Sequence, residues 1–230
     1  MNKAVRLFCP PILLPFCSKL KSSLKKPLKI IASLNPEFQD LKLYWNNDFA
    51  EVLENWGKNN TWNEIQMIMS ACDGKILDIA CGTGKTIQIL DKFNNIEVHG
   101  FDISDLLIQK AIEKGIPKYK LRILDATKTE YREDEFNYSY SIGSLEHFTE
   151  DGIDLFLSEC SRYTKRCAYH MIPVSRSNKD EGWLKTKQSF FNNSDKWWLD
   201  HFNNFFKQVV IIPSKWEDSI SIGRWFVCYK

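Results

Sequence analysis

Three aspartates and a glycine-containing segment are the residues of this sequence best suited to hold a small polar ligand. Asp78 precedes the run Ala80-Cys81-Gly82-Thr83-Gly84, Asp102 lies 18 residues after Gly84, and Asp125 follows an apolar run further on. Glycines let a ligand approach the backbone closely, and a helix that begins near Gly84 presents free N–H groups to it. Carboxylates accept hydrogen bonds from hydroxyl and amino groups. The set predicts a pocket for a nucleoside with polar ends.

Two other glycine-loop motifs fit this segment poorly. A Walker A loop requires a glycine where Ile79 stands, although Gly84-Lys85-Thr86 supplies its last three positions. A dinucleotide fingerprint requires a third glycine, and its place is taken by Ile87. The remaining interpretation is a loop for a ligand that lacks a pyrophosphate and carries an amino-acid end.

The elements that must position these residues alternate between strands and helices. Short apolar runs predict strands at 75–79, 96–101, 120–124, 136–142, 166–172, 208–212 and 222–229. Helical spacing predicts helices near 84–93, 105–114, 151–160 and 194–206. Such alternation is typical of a doubly wound α/β fold, and no helix separates the last two strands. We therefore predict a Rossmann-like sheet of seven mostly parallel strands with an antiparallel last strand.

Residues 1–34 differ in composition from the rest and are predicted to form an N-terminal arm. Residues 7–16 are apolar but contain three prolines, which excludes a membrane-spanning helix, and no secretory cleavage site follows them. Residues 1–36 carry seven basic and no acidic side chains. An apolar segment followed by lysines is expected either to make peripheral contact with the inner membrane surface or to pack on the domain or a partner subunit.

Composition excludes several classes of function. Residues 37–230 hold 24 basic and 29 acidic side chains, a net charge of −5 that is unsuited to a nucleic-acid backbone, so no nucleic-acid partner is predicted. The seven cysteines are scattered, which favours reduced thiols in the cytoplasm over disulfides. The four histidines lie apart from them, so no metal site is predicted.

Three strand-end motifs together resemble those of class I S-adenosylmethionine-dependent methyltransferases. They are Leu77-Asp-Ile-Ala-Cys-Gly-Thr-Gly-Lys85, Phe101-Asp-Ile-Ser104 and Leu124-Asp-Ala126, and the resemblance covers roughly residues 40–230. It implies S-adenosylmethionine as cofactor, with its methionine part on Asp78, Ala80, Gly82, Thr83 and Gly84. It also implies the ribose on Asp102, and the adenine beside Ile103, Asp125 and Ala126. By the same resemblance, residues 35–72 form a helical lid and residues 73–230 the Rossmann-like core of a domain spanning 35–230.

The lid is predicted to contain two helices. Apolar side chains recur at helical spacing at Leu41, Tyr44, Trp45, Phe49, Val52 and Trp56. Thr61 is predicted to cap a second helix, with Glu64 completing a capping box.

The chemistry is expected beyond the fourth strand, because ligands of open α/β sheets bind outside the carboxyl ends of the strands. Gly143 should therefore border the pocket, and Ser144-Leu-Glu-His147 resembles the O-methylating small-molecule and lipid branches. His147 is the first candidate general base and His170 the second, since imidazole titrates near neutrality. The alternative for each histidine is a structural role. Glu146 is expected to orient a histidine or, as in some quinone-methylating relatives, to bind a metal.

Substrate contacts are predicted from two segments. Tyr44 and Trp62 come from the lid, while Arg176 and Trp183 come from the stretch between the fifth strand and the last helix. Aromatic rings and cations suit a sugar ring or an anionic group.

Three functions remain open at this stage. The tail Pro213–Trp225 and the start Pro10-Pro-Ile-Leu-Leu14 resemble methyltransferases of bacterial surface polysaccharide biosynthesis, which favours O-methylation of a sugar or glycan precursor. The basic arm favours a lipid or quinone acceptor, or another small molecule. A non-catalytic cofactor-binding module is the third hypothesis.

Overall fold

The computed structural model describes residues 39–230. The predicted N-terminal arm and its predicted membrane contact lie outside the described residues. Between residues 39 and 230, no helix combines the length and the apolar content that crossing a bilayer requires.

The centre of the fold is a seven-stranded sheet. Its strands are β1 Gly74–Ile79, β2 Ile96–Asp102, β3 Leu121–Ile123, β4 Phe136–Ile142, β5 Thr164–Ser175, β8 Gln208–Glu217 and β9 Ser221–Tyr229. Their order is β3-β2-β1-β4-β5-β9-β8. The first five run parallel, whereas β9 is antiparallel to both of its neighbours. The predicted fold class is confirmed, with β9 inserted inside the sheet and β8 at its edge.

A separate two-stranded hairpin interrupts the stretch after β5. It pairs β6, Trp183–Lys185, with β7, Ser189–Phe191, and Trp183 lies opposite Phe191. The sequence predicts no regular structure for this stretch, because three-residue strands are too short to show an alternating pattern.

Six α-helices accompany the sheet within residues 39–230. They are α1 Asn47–Leu53, α2 Thr61–Met69, α3 Lys85–Leu90, α4 Asp105–Glu113, α5 Glu150–Tyr163 and α6 Asp195–Asn203. Ser104, Thr149 and Ser194 cap α4, α5 and α6 by accepting a backbone N–H through their side-chain oxygens. Helices α2 to α6 were predicted near these positions, and the helix predicted before α2 is treated below.

Both faces of the sheet are covered, as the apolar character of its central strands requires. Along β1, Leu77 and Ile79 point to one side, where they join a core with Phe156 of α5 and Trp198 of α6. Ile76 points to the other side and joins the core under α2, α3 and α4. This alternation follows from the two-residue period of a strand. The buried Asp78 is the exception in β1, and it lies at the carboxyl edge where the site is found.

The lid region differs from its prediction in two ways. The expected continuous helix is divided at Asn46 into a 3₁₀ turn, Leu41–Trp45, and α1, because the Asn46 side chain accepts the N–H of Asp48 at 2.7 Å and caps a new helix. The capping box at Thr61 is wrong, since Asn60 occupies the cap position. Glu64 instead accepts hydrogen bonds from the Ser214 hydroxyl, the Lys215 N–H and the Trp225 indole, which fastens α2 to β8 and β9.

Candidate active site

A cavity of about 670 Å³ lies at the carboxyl ends of β1, β2 and β4. The sheet order reverses between β1 and β4, and crevices of open α/β sheets form at such points. Residues 39–56, called the strap below, and the tip of the β6–β7 hairpin contribute the outer wall. The lining includes most of the predicted site residues: Tyr44, Trp62, Asp78, Ala80, Gly82, Thr83, Asp102, Ile103, Asp125, Ala126, Gly143, Glu146 and His147.

The loop after β1 is bonded to the neighbouring strand ends. Gly82 has a φ of 55°, and its N–H donates to Oδ2 of Asp102 at 2.9 Å. Thr86 donates its hydroxyl proton to Oδ2 of Asp78 at 2.5 Å. Burial raises the pKa of Asp78 to about 7. A side chain at Gly82 would narrow the space between loop and strap, because its Cβ would lie 3.2 Å from Leu53.

Gly84 has a different role from the one predicted for it. It does not line the cavity, and its φ of 71° places it as the left-handed residue that precedes α3. A Cβ at this position would collide with the Ile116 side chain. The glycine is therefore needed for the packing of α3 under the loop rather than for contact with a ligand.

The acids at the ends of β2 and β3 keep acceptor capacity toward the cavity. Asp102 accepts the Ser104 N–H at 2.9 Å on Oδ1 and the Gly82 N–H on Oδ2, and each oxygen has a second lone pair. Burial raises the pKa of Asp102. Asp125 accepts the N–H and hydroxyl of Thr127 on Oδ1, both at 2.8 Å. Two separated carboxyl groups thus face one cavity.

Glu146 and His147 lie at the other end of the cavity. Glu146 is buried, and its Oε2 has no hydrogen-bond partner among the described residues, while Oε1 lies 3.7 Å from Nε2 of His147. Burial raises the pKa of Glu146 to about 8 and lowers the pKa of His147 to about 4. Near pH 7 the glutamate is therefore mostly protonated and the imidazole is neutral.

A hydroxyl from the strap faces the same end. The Tyr44 oxygen accepts a hydrogen bond from Nε2 of Gln188 at 2.8 Å. Burial, reinforced by the carboxyl groups of Asp102 and Glu146, raises the pKa of Tyr44, so it stays protonated. Its own O–H is then free to donate into the cavity.

The strap is held at both ends by carboxylates. Asp40 accepts the N–H and the hydroxyl of Ser189 at 2.8 and 2.6 Å. Glu54 binds the Thr83 hydroxyl of the glycine loop and the Lys114 ammonium of the segment after α4. These bonds join the strap to the hairpin on one side and to the loop on the other.

Two tryptophans pack at and beyond the carboxyl end of the strap. Trp56 stacks on Trp216 with ring centroids 5.2 Å apart, and a Cβ on Gly143 would lie 2.9 Å from the Trp56 ring. Trp62 lies beneath the Lys85 ammonium, 5.7 Å from its ring centroid.

Three predicted residues lie away from the cavity. His170 is buried in the core, where its Nδ1 pairs with the Ser141 hydroxyl at 2.8 Å, so it cannot reach a substrate as a base. Arg176 lies on the surface and donates to Glu217 at 2.9 Å. Trp183 is buried against Phe191, which is core packing. The corrections at Arg176 and Trp183 share one cause: the hairpin turns the stretch after β5 so that only its tip reaches the cavity.

Four residues that hold the cavity wall in place were not predicted from the sequence: Asp40, Glu54, Gln188 and Ser189. No motif marks them, because they belong to the strap and the hairpin and reach the site only through tertiary contacts. Within residues 39–230 no cluster of three or more histidine, cysteine, aspartate or glutamate side chains could hold a metal ion.

Part of the sequence matches a known protein family. Residues 76–166 match a family described as methyltransferase domain. This segment includes the glycine loop, the strand-end acids Asp78, Asp102 and Asp125, and the pair Glu146 and His147. No curated protein matches the sequence.

Several solved structures have the same fold. A protein of Pyrococcus horikoshii OT3 superposes with a TM-score of 0.55 at 19% identity, covering 85% of this chain and 96% of that one. The Burkholderia thailandensis 1,6-didemethyltoxoflavin-N1-methyltransferase, with its substrate and S-adenosylhomocysteine bound, gives 0.61 at 13% identity, covering 83% and 88%. A Haemonchus contortus N-methyltransferase in complex with phosphomonomethylethanolamine and S-adenosylhomocysteine gives 0.63 at 14% identity, covering 86% and 60%.

Proposed function

From the premise that this chain is a methyltransferase with S-adenosylmethionine as its cofactor, we propose that it methylates a hydroxyl group of a sugar or glycan precursor of a bacterial surface polysaccharide. The observation that carries the proposal is the polar end of the cavity, where the unpartnered Glu146 Oε2 and the neutral His147 lie side by side.

The residues of the cavity fit the cofactor. Gly82 leaves room between the loop and Leu53, and the second lone pairs of Asp102 suit the two ribose hydroxyls. Asp125 and Ala126 would border the adenine, and Asp78 would face the methionine end. When bound, the cofactor supplies a sulfonium methyl group that a positioned nucleophile attacks in line.

The chain's own groups support a hydroxyl acceptor. A hydroxyl is a weak nucleophile while it keeps its proton, so a base within reach assists its reaction. His147 carries its proton on Nδ1, which bonds the Ser189 carbonyl at 2.8 Å, so the Nε2 lone pair is available to take up the acceptor's proton. The adjacent Glu146 Oε2 and the Tyr44 hydroxyl provide further polar contacts for a polyhydroxylated ring.

Charge around the cavity favours a neutral reacting end. Six carboxyl-bearing residues line it against two lysines, Lys85 and Lys187. A phosphate group beside Glu146, His147 and Tyr44 would find no cation among these neutral groups, so any phosphate of a lipid-linked or nucleotide-linked sugar should stay outside, near Lys187 at the hairpin tip. The bound substrates of the two methyltransferase neighbours are also small molecules, which supports an acceptor of that size.

A transfer assay tests the proposal. The full-length protein is incubated with methyl-labelled cofactor and a panel of lipid-linked sugars, nucleotide-linked sugars, free glycans, a quinol and simple amines. Label in a sugar hydroxyl is the expected result, and His147→Asn should lower kcat by about 10²- to 10⁴-fold, the usual contribution of a general base. His201→Asn is the control for loss of a histidine outside the cavity, since His201 lies on α6, where its Nδ1 contacts Asp154 at 2.7 Å. Methylation of the quinol alone, or cofactor binding with no transfer, would overturn the proposal.

The proposed location is the cytoplasm. The five cysteines of the described chain are free and buried, which suits a reducing compartment. The proposed peripheral contact through residues 1–34 is tested by sedimentation with anionic liposomes. Full-length protein should bind and a chain lacking residues 1–34 should not, and equal behaviour of the two would refute the contact.

A further inference from the structure

A chain of hydrogen bonds connects the strap to the imidazole of His147. Asp40 accepts two hydrogen bonds from Ser189, one from its N–H and one from its hydroxyl. The carbonyl of the same Ser189 faces Nδ1 of His147 at 2.8 Å. Ser189 is buried, and it is the first residue of β7. Three residues that are remote in sequence thus form one continuous contact.

This contact determines which nitrogen of His147 carries the proton. A carbonyl oxygen can only accept, so Nδ1 must be the protonated nitrogen. In the neutral ring Nε2 then carries the lone pair, and it is the nitrogen nearer to Glu146. The Nδ1–H tautomer is the one in which His147 can accept a proton from a substrate in the cavity.

Asp40 contributes directly to the position of Ser189. The hairpin is a two-stranded sheet of three residues in each strand, and Ser189 is paired with Lys185 at the end next to the turn. So short a hairpin is weakly stable by itself. The Asp40 carboxylate also lies 3.6 Å from the Lys185 ammonium, so it contacts both residues of the Lys185–Ser189 pair. A second bond from the strap, Nε2 of Gln39 to the His147 carbonyl at 3.0 Å, fixes the backbone of the histidine.

We infer that Asp40 is a positioning residue for methyl transfer: acting through Ser189, it holds His147 in the Nδ1–H tautomer with Nε2 directed at the acceptor. The inference rests on the proposed role of His147 as a base.

The test measures tautomer and turnover separately in the full-length protein. Long-range ¹H–¹⁵N correlation spectra of ¹⁵N-histidine-labelled protein report which His147 nitrogen is protonated. Asp40→Ala should shift the signal from Nδ1–H toward Nε2–H, whereas Glu51→Ala, another strap carboxylate outside the cavity, should leave it unchanged. In turnover, Asp40→Ala should lower kcat by about 10- to 100-fold with cofactor Kd within about twofold, since only orientation of the base is lost.

Graded variants exclude a merely structural effect. In Asp40→Asn the amide oxygen can still accept from Ser189, so the loss should be smaller than in Asp40→Ala. Ser189→Ala keeps both backbone groups and should lose less again. A wild-type tautomer in Asp40→Ala would overturn the inference, as would equal losses of kcat and cofactor affinity. The spectra need no acceptor, so failure to find a sugar substrate would overturn the proposed function without deciding the tautomer.

Discussion

Replacing Asp102 by asparagine tests the assignment of the ribose site. The change keeps the shape of the side chain but replaces one acceptor oxygen by an amide NH₂, which only donates. In the structure both oxygens already accept backbone N–H groups, one from Gly82 and one from Ser104, each at 2.9 Å. The asparagine oxygen can accept one of these two N–H groups, but the NH₂ group must then face the other N–H, which leaves two donors opposed.

The expected losses follow from this arrangement. An unpartnered buried N–H costs about 1–3 kcal/mol, so the free energy of unfolding of the ligand-free protein should fall by about that amount. Binding should weaken separately, since the ribose hydroxyls lose an ionised acceptor with a typical value of about 1.5–3 kcal/mol. That corresponds to a Kd for S-adenosylhomocysteine raised about 10- to 150-fold.

Isothermal titration calorimetry with S-adenosylhomocysteine measures the weakened binding, and urea unfolding without ligand measures the lower free energy of unfolding. Asp91→Asn is the matched control, because Asp91 is exposed and lies 3.6 Å from Lys120, far from the loop. The control should match wild type in both measurements. An Asp102→Asn protein that binds within about twofold of wild type would refute the ribose assignment, since a lost ionised acceptor must exceed that difference.

Three further perturbations test the geometry. Burial holds the pKa of Glu146 near 8 in the folded state against about 4.5 when unfolded, so the contribution of Glu146 to the free energy of unfolding should fall by up to about 1.4 kcal/mol per pH unit as pH rises between these values, while the lowered pKa of His147 acts in the opposite direction below about 6.5. Urea unfolding of Glu146→Gln should lack this fall, and parallel pH curves would contradict it. Gly143→Ala adds backbone strain of about 1–2 kcal/mol, and its new methyl group presses on the Trp56 ring, so the variant should change tryptophan fluorescence. Gly182→Ala is the control: Gly182 also has a positive φ, but the space around it is open, so the fluorescence should stay unchanged. Glu54→Gln weakens the bonds from the strap to the glycine loop, so stopped-flow dissociation of S-adenosylhomocysteine should be about two- to fivefold faster. An unchanged dissociation rate would show that these bonds do not retain the bound nucleoside.

Much of the fold follows from local sequence patterns. β1, β2 and β4 were predicted within one residue at each end, because central strands of a parallel sheet are apolar throughout and end at polar residues. The antiparallel β8–β9 pair followed from the lack of an intervening helix. The β6–β7 hairpin was missed because its three-residue strands are too short to show a periodic pattern, and the break at Asn46 was missed because it depends on a single side-chain bond.

The part of the cavity formed by strand ends was predictable from the sequence. The residues around Asp78, Asp102 and Asp125 follow strand ends, and strand ends of one parallel sheet meet at one edge. The outer wall combines the strap and the hairpin tip, which are far apart in sequence, and Tyr44 is the one predicted site residue in these two segments. His170 was chosen for its type and position near a strand end, yet its side chain points into the core, since strand residues alternate between faces.

A crystal structure of the full-length protein with S-adenosylhomocysteine is the most direct test of the central claim. We predict the ribose hydroxyls within hydrogen-bond distance of the Asp102 carboxylate, the adenine beside Ala126, and the sulfur facing the cavity end formed by Glu146 and His147. A nucleoside bound elsewhere, or a sulfur directed away from Glu146 and His147, would contradict the account.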